Sequence, residues 1–179
     1  MRGIVPLTGT VKSDNFSFFR LQFGPGLNPT QWTQIGGDRG EQLENADLQT
    51  WDTSGLPNGL YSVQLLVVKS DQTFANYTVQ VTVDNTSPTV SLITPEPDDT
   101  FTIGSDESVI IQPDAKDNLS LAYVEIYLDG KRVNTSTVAP FTYRWKLGFA
   151  GVHSLYLRAV DAAGNDAQSA PVTITVKEK

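Results

Sequence analysis

Apolar side chains recur at every second position along most of this chain, and that period commits it to β-strands. Phe19, Leu21 and Phe23 alternate with Arg20 and Gln22, Tyr61, Val63, Leu65 and Val67 share a parity, and so do Val79, Val81 and Val83. Farther on, Val124, Ile126 and Leu128 alternate with Glu125 and Tyr127, then Leu155, Leu157 and Ala159 with Tyr156 and Arg158; Val172, Ile174 and Val176 follow. Successive side chains of a strand point to opposite faces, so each run can bury one face and wet the other. Between the runs lie Gly24-Pro25-Gly26, Pro57-Asn58-Gly59, Asp129-Gly130 and Ala163-Gly164-Asn165, all suited to tight turns. No window carries a helical stripe. The pattern predicts an all-β chain with helix content near zero.

A second feature divides the chain. Asp84-Asn85-Thr86-Ser87-Pro88 is a short polar segment between two alternating runs. Pro88 has no N–H to give to a ladder, so a central strand cannot pass through it. The expected domains are residues 1–86 and 87–179, joined by a short linker, and their charges are alike: 5 basic against 8 acidic residues, then 8 against 12. The halves also echo one another. Gly59-Leu60-Tyr61-Ser62-Val63-Gln64-Leu65 aligns with Gly151-Val152-His153-Ser154-Leu155-Tyr156-Leu157, and Val79–Val83 aligns with Val172–Val176. Upstream of each stands a tryptophan, Trp51 and Trp145. Two copies of one plan of this length predict tandem β-sandwiches.

Composition narrows the function classes. The net charge is −7 over 179 residues, which disfavours nucleic-acid binding, because that needs Lys and Arg against phosphates. No stretch approaches the 18 or so apolar residues of a membrane span. No basic segment followed by an apolar one opens the chain, so a secreted protein is expected to carry it as a piece of something longer. Cysteine is absent, which removes disulfides, thiolate nucleophiles and thiolate-bound zinc and points to a bacterial or archaeal rather than an animal extracellular domain.

Leu56-Pro57-Asn58-Gly59-Leu60-Tyr61-Ser62-Val63 resembles the tyrosine corner of fibronectin type III (FN3) and related immunoglobulin-like (Ig-like) sandwiches. The resemblance implies that the Tyr61 hydroxyl bonds back to the chain at the entry to the penultimate strand, with His153 in the equivalent place of the second copy. Pro140–Trp145, Gly151–His153 and Ala159–Asn165 resemble the bacterial Ig-like modules appended to secreted hydrolases and cell-wall proteins. Phe18–Gly24, Trp32–Ile35, Trp51–Leu56 and Val83–Pro88 are similar to the tail that follows the transpeptidase domain in some class A penicillin-binding proteins, and to parts of other large envelope proteins. Together these resemblances imply two tandem FN3/Ig-like sandwiches of about seven strands each, on the extracellular or envelope side. They also imply a parent enzyme that synthesises peptidoglycan. No S-x-x-K and no K-T-G occurs in the chain.

Chemistry is sparse. The sole histidine, His153, is followed by Ser154, which a strand sends to the other face, and no G-x-S-x-G elbow exists. A catalytic role is not expected. Calcium takes six to eight oxygens, and loop acids that could converge include Asp98, Asp99, Asp117, Asp161 and Asp166. Asp161–Asn165 also reads more simply as a hairpin turn, Gly164 at positive φ and Asp161 capping the backbone. For glycan recognition the exposed-aromatic candidates are Trp32, Tyr127 and Tyr143, whereas Trp51 and Trp145 fit core packing. The resulting expectation is a monomeric, non-catalytic spacer or interaction module without a cofactor, whose partner is a cell-wall glycan or another envelope protein. The alternative is a carbohydrate- or peptidoglycan-binding module of a secreted hydrolase or adhesin.

Overall fold

The computed structural model describes residues 1–179, with strands and turns throughout and no α-helix. The chain divides into two compact units, Met1–Asn85 and Thr86–Lys179. Each is a β-sandwich of the Ig/FN3 type, as the alternation and the internal repeat predict.

In the first unit the strands are β1 (Ile4–Val11), β2 (Phe16–Pro25), β3 (Thr33–Arg39), β4 (Leu43–Asp52), β5 (Gly59–Lys69) and β6 (Phe74–Val83). β1 and β4 form a two-stranded sheet, and the other sheet has the order β3-β2-β5-β6. The side chains that share a parity meet between the sheets: Val11, Phe19, Leu21, Ile35, Leu48, Trp51, Tyr61, Val63, Val67 and Val83 are the buried core. Burying one such aliphatic side chain is worth about 1.5–3 kcal/mol.

The second unit contains β7 (Thr89–Thr94), β8 (Thr100–Thr102), β9 (Ser108–Lys116), β10 (Leu121–Leu128), β11 (Lys131–Ser136), β12 (Tyr143–Lys146), β13 (Gly151–Asp161), β14 (Asp166–Gln168) and β15 (Val172–Lys177). One sheet has the order β12-β9-β7, the other β11-β10-β13-β15-β8, with β14 alongside β13. Ile111, Ile126, Leu155, Leu157 and Ile174 form the centre of its core, flanked by Val90, Leu92, Phe101, Tyr143 and Trp145. Asp129 and Gly130, at φ 50° and 75°, make the tight turn between β10 and β11.

The strand counts, six and nine, differ from the expected seven apiece. In the second unit Pro95 and Pro97 interrupt the first extended stretch, so it pairs as two strands, β7 with β9 and β8 with β15. A short hook, β14, adds the ninth.

The repeat reaches down to single hydrogen bonds. Gly59 and Gly151 open β5 and β13 at φ 148° and 150°, a conformation that side-chain-bearing residues rarely adopt. Two residues on, the Tyr61 hydroxyl donates to the Pro57 carbonyl at 2.9 Å, and His153 Nε2 lies 3.1 Å from the Phe149 carbonyl. Both acceptors are four residues upstream. Each ring also meets the tryptophan of its unit edge-on, Tyr61 with Trp51 at 6.2 Å and His153 with Trp145 at 5.0 Å. Tyr61→Phe removes one partly buried hydrogen bond, and the expected loss is about 1 kcal/mol. Hydrogen exchange of the β5 amides reads it, and rates equal to wild type would contradict the corner's role.

Candidate functional site

The outer face of β3-β2-β5-β6 carries a row of amides. Register places Gln34 opposite Gln22, Gln22 opposite Gln64 and Gln64 opposite Thr78, one polar side chain from each of the four strands. Their neighbours Leu21 and Val63 point the other way into the core, so the row faces solvent. Gln22 Nε2 donates to Gln64 Oε1 at 2.7 Å, and Gln64 Nε2 donates to Thr78 Oγ1 at 3.2 Å. This relay fixes the amide planes and leaves further donor and acceptor capacity at both ends. Gln34 turns instead to Asp38, whose carboxylate is clamped by Arg20 through Nε and Nη2, both at 2.8 Å. The Arg20 guanidinium holds the Asp38 carboxyl below its usual range.

Trp32 stands at the end of this face, half-buried, just ahead of β3. The loop that delivers it is pinned twice. Ser62 Oγ donates to the carbonyls of Gly26 and Leu27, at 2.8 and 3.1 Å. Gly24 lets the loop pack against β2, since a Cβ there would lie 2.4 Å from Pro29 Cβ and 2.6 Å from the Gln31 oxygen. Trp32, Asn28, Gln64, Thr78 and Gln80 line a shallow depression of about 360 Å³. An apolar ring beside a fixed amide row, with its one charge pair neutralised, suits a ligand that has C–H faces and many hydroxyls but no net charge.

The other two aromatic candidates lie in the second unit and are differently placed. Tyr127 lies on the outer face of its sheet but stacks on Tyr156, with centroids 4.6 Å apart and planes 8° from parallel. Its hydroxyl donates to Glu125 Oε2 at 3.1 Å. The two rings cover one another's faces. Tyr143 packs against the core, contrary to the outward orientation expected. It sits opposite Ile111 and shares its parity with Trp145, and these inward partners fix the faces of β12.

Beneath the tyrosine pair, Glu125 is 3% exposed and receives Arg132 Nη1 at 2.6 Å and Arg158 Nη1 at 3.2 Å. Burial pushes its carboxyl up, but the bonds from Arg132, Arg158 and Tyr127 outweigh that and hold it below its ordinary value of 4.5. A carboxyl lowered by folding stabilises the fold above its unfolded value and loses that contribution as pH falls through the folded one. Glu125→Gln is therefore expected to cost about 1–2 kcal/mol at pH 7 and to flatten the loss of second-unit stability below about pH 4.5. Urea unfolding from pH 7 to pH 3 measures it, and parallel pH profiles would contradict it.

Of the loop acids, the structure brings Asp117 and Asp161 together, with carboxylate oxygens within 4.8 Å. Asp117 Oδ2 accepts from the amides of Leu119 and Ser120, while its Oδ1 is buried without a hydrogen-bond partner. Asp161 Oδ1 accepts from the amides of Ala163 and Asn165, and Gly164 sits at φ 90° in the same turn. Asp99 instead caps the Glu96 amide, exposed Asp98 bonds through its backbone to Thr173, and Asp166 pairs with Arg158. Those three take no part in the pair.

Gln22, Gln64 and Gln80 escape a reading of the sequence. Each is an ordinary outward residue of its own strand, and only the pairing register joins them.

Residues 88–176 match the family model described as Bacterial Ig domain. Among solved structures, the chain is similar to the fibronectin(III)-like modules of Clostridium thermocellum CbhA, at 23% identity and TM-score 0.58, covering 98% of this chain and 86% of that one. It is also similar to murine CEACAM1b, at 10% identity and TM-score 0.48, covering 92% and 88% of the two chains. A tetra-tandem repeat in the extending region of a large adhesion protein matches at 19% identity and TM-score 0.43, over 89% of this chain and 42% of the other. No curated protein matches in sequence. The first likeness supports the fold alone, and none of these matches is to a penicillin-binding protein.

Proposed function

We propose that this tandem of Ig/FN3-like sandwiches is a non-catalytic accessory module of an extracellular bacterial protein, of the kind attached to a secreted hydrolase or an adhesin. In this reading it holds its parent on a neutral polysaccharide through the outer face of β3-β2-β5-β6. The observation that carries the reading is the amide relay Gln22–Gln64–Thr78 running toward a depression that Trp32 lines. Sugar rings stack their C–H faces on an indole, and their hydroxyls pair with amides that donate and accept at once. The bacterial Ig match of the second unit supports the extracellular bacterial setting. No helix long and apolar enough to cross a membrane is present.

The test is co-sedimentation of the chain with cellulose, chitin and peptidoglycan, in calcium and in chelator. Saturable pelleting with a neutral polysaccharide is expected, with at least a tenfold loss in Trp32→Ala. Chelator should leave binding unchanged, because the one carboxylate beside the amide row, Asp38, is committed to Arg20. Pelleting with peptidoglycan alone would move the parent to the cell wall and contradict a neutral ligand. No pelleting on any matrix would remove the glycan reading and leave a spacer.

A further inference from the structure

The histidine that stands in the corner of the second unit lies between two acceptors. His153 Nδ1 is 2.7 Å from Asp129 Oδ2, and Nε2 is 3.1 Å from the Phe149 carbonyl. Neither a carboxylate nor a carbonyl can donate, so both contacts are hydrogen bonds only when both ring nitrogens carry a proton. That state is the imidazolium. A neutral ring has one N–H, and the other nitrogen then turns a lone pair toward an oxygen. The first unit avoids the choice, because the neutral Tyr61 hydroxyl donates to the Pro57 carbonyl without any added charge.

Of the two acceptors, Asp129 is the one that keeps its proton. It is charged, it is closer, and it is fixed in the turn between β10 and β11: its Oδ1 accepts from the Ser154 amide at 2.9 Å, and its own amide donates to the Ser154 carbonyl at 2.8 Å. Burial pushes the Asp129 carboxyl up, but the bonds from His153 and Ser154 outweigh that and hold it below its usual range. A ring that discharges therefore retains Nδ1–H and gives up the bond from Nε2. Asp129 is the one charged group in contact with the ring. Lys131, at the start of β11, acts on the Asp129 carboxylate. β12 presents Trp145 edge-on at 5.0 Å, while Arg144 and Lys146 have the opposite parity and are exposed. β15 presents Ile174 opposite His153.

The Nε2 bond holds the link between β12 and β13. Leu147 anchors one end of it in the core with Val109 and Val176, and β13 begins at Gly151. Between them Gly148, Phe149 and Ala150 make no backbone hydrogen bond, so the bond from His153 to the Phe149 carbonyl is their single tie. The Phe149 side chain is 82% exposed, so little packing adds to it. Glycine at both ends, Gly148 and Gly151, leaves the link free to move once that bond is gone.

We propose that the link between β12 and β13 is a pH-operated latch: the charged His153 ring clasps it through the Phe149 carbonyl, and loss of the Nε2 proton releases it. Acid closes the latch and alkali opens it. The first unit has the same corner without the switch. This device is separate from the amide face and does not depend on the glycan reading.

The test follows the ring and the link together in the isotopically labelled chain, from about pH 5 to about pH 8.5, a span that brackets the ordinary charge change of an imidazole. His153 is the sole histidine, so its ring nitrogen signals are unambiguous. Both nitrogens are expected to be protonated at the acid end, and Nε2 alone to lose its proton at the alkaline end. Over the same transition the backbone order parameters of Gly148, Phe149 and Ala150 should fall from about 0.85 to below about 0.6, with those of Asn58 and Gly59 unchanged. His153→Tyr gives the second corner the neutral donor of the first and should keep the link rigid at both ends of the range. Asp129→Asn retains an oxygen for the Ser154 amide and suits the positive φ of that position, and it should move the release to lower pH. A link equally rigid at both ends, or an Nε2 that keeps its proton when the ring is neutral, would overturn the proposal. So would a loosening with pH that persists unchanged in His153→Tyr.

Discussion

Trp51→Ala is expected to destabilise the first unit by about 3–5 kcal/mol, a large share of what holds a small domain together. Trp51 is 2% exposed and sits against Phe23 at 5.0 Å and Tyr61 at 6.2 Å, so truncation empties the centre of the aromatic cluster that the corner leans on. Trp51→Phe separates packing from polarity. The indole Nε1 is buried without a hydrogen-bond partner, so the smaller ring loses volume but also removes an unsatisfied donor. The expected loss is about half that of alanine or less. Hydrogen-exchange mass spectrometry of peptides from β2 and β5 measures both variants. Equal losses for phenylalanine and alanine would show that the indole N–H has an acceptor, contrary to this packing.

The second large effect lies in the turn after β13. Asp161 is 2% exposed, and its carboxylate accepts from the amides of Ala163 and Asn165, at 2.8 and 2.7 Å, and from Asn165 Nδ2 at 2.5 Å. Alanine leaves those donors facing a vacated acceptor in a dry turn, and the expected cost is about 2–4 kcal/mol, since each buried unpaired group costs about 1–3 kcal/mol. Asparagine keeps one oxygen and should recover part of it. Exchange of the Asp161–Asn165 hairpin amides and the urea midpoint of the second unit read the change. A loss below about 0.5 kcal/mol would mean that water satisfies these donors and the turn is not dry.

What could be read from the sequence was what alternation and local turn chemistry encode. Valines at every second position place β6 and β15, and Asp161-Ala162-Ala163-Gly164-Asn165 specifies its own turn because its bonds are local. His153 standing where Tyr61 stands is legible as an alignment, yet its bond to the Phe149 carbonyl needs the fold, because a different side chain reaches the same kind of acceptor. Tyr143 shows where parity fails. A four-residue strand gives too short a pattern to fix its own face, and Ile111 on β9 decides it. The amide row is a matter of register and of which strands are neighbours, and no single strand carries that information.

The proposed binding of a neutral glycan by the outer face of β3-β2-β5-β6 is open to direct measurement. Its most direct test is a titration of the isotopically labelled chain with soluble oligosaccharides of cellulose and chitin, followed through backbone amides, side-chain amides and indole N–H groups. The account predicts that one series shifts the Trp32 indole and the side-chain amides of Gln22, Gln64 and Gln80 along a single saturating curve, leaving Trp51, Trp145 and the Tyr127–Tyr156 pair unmoved. Shifts centred on Tyr127 and Tyr156, or no shift at millimolar sugar, would contradict it.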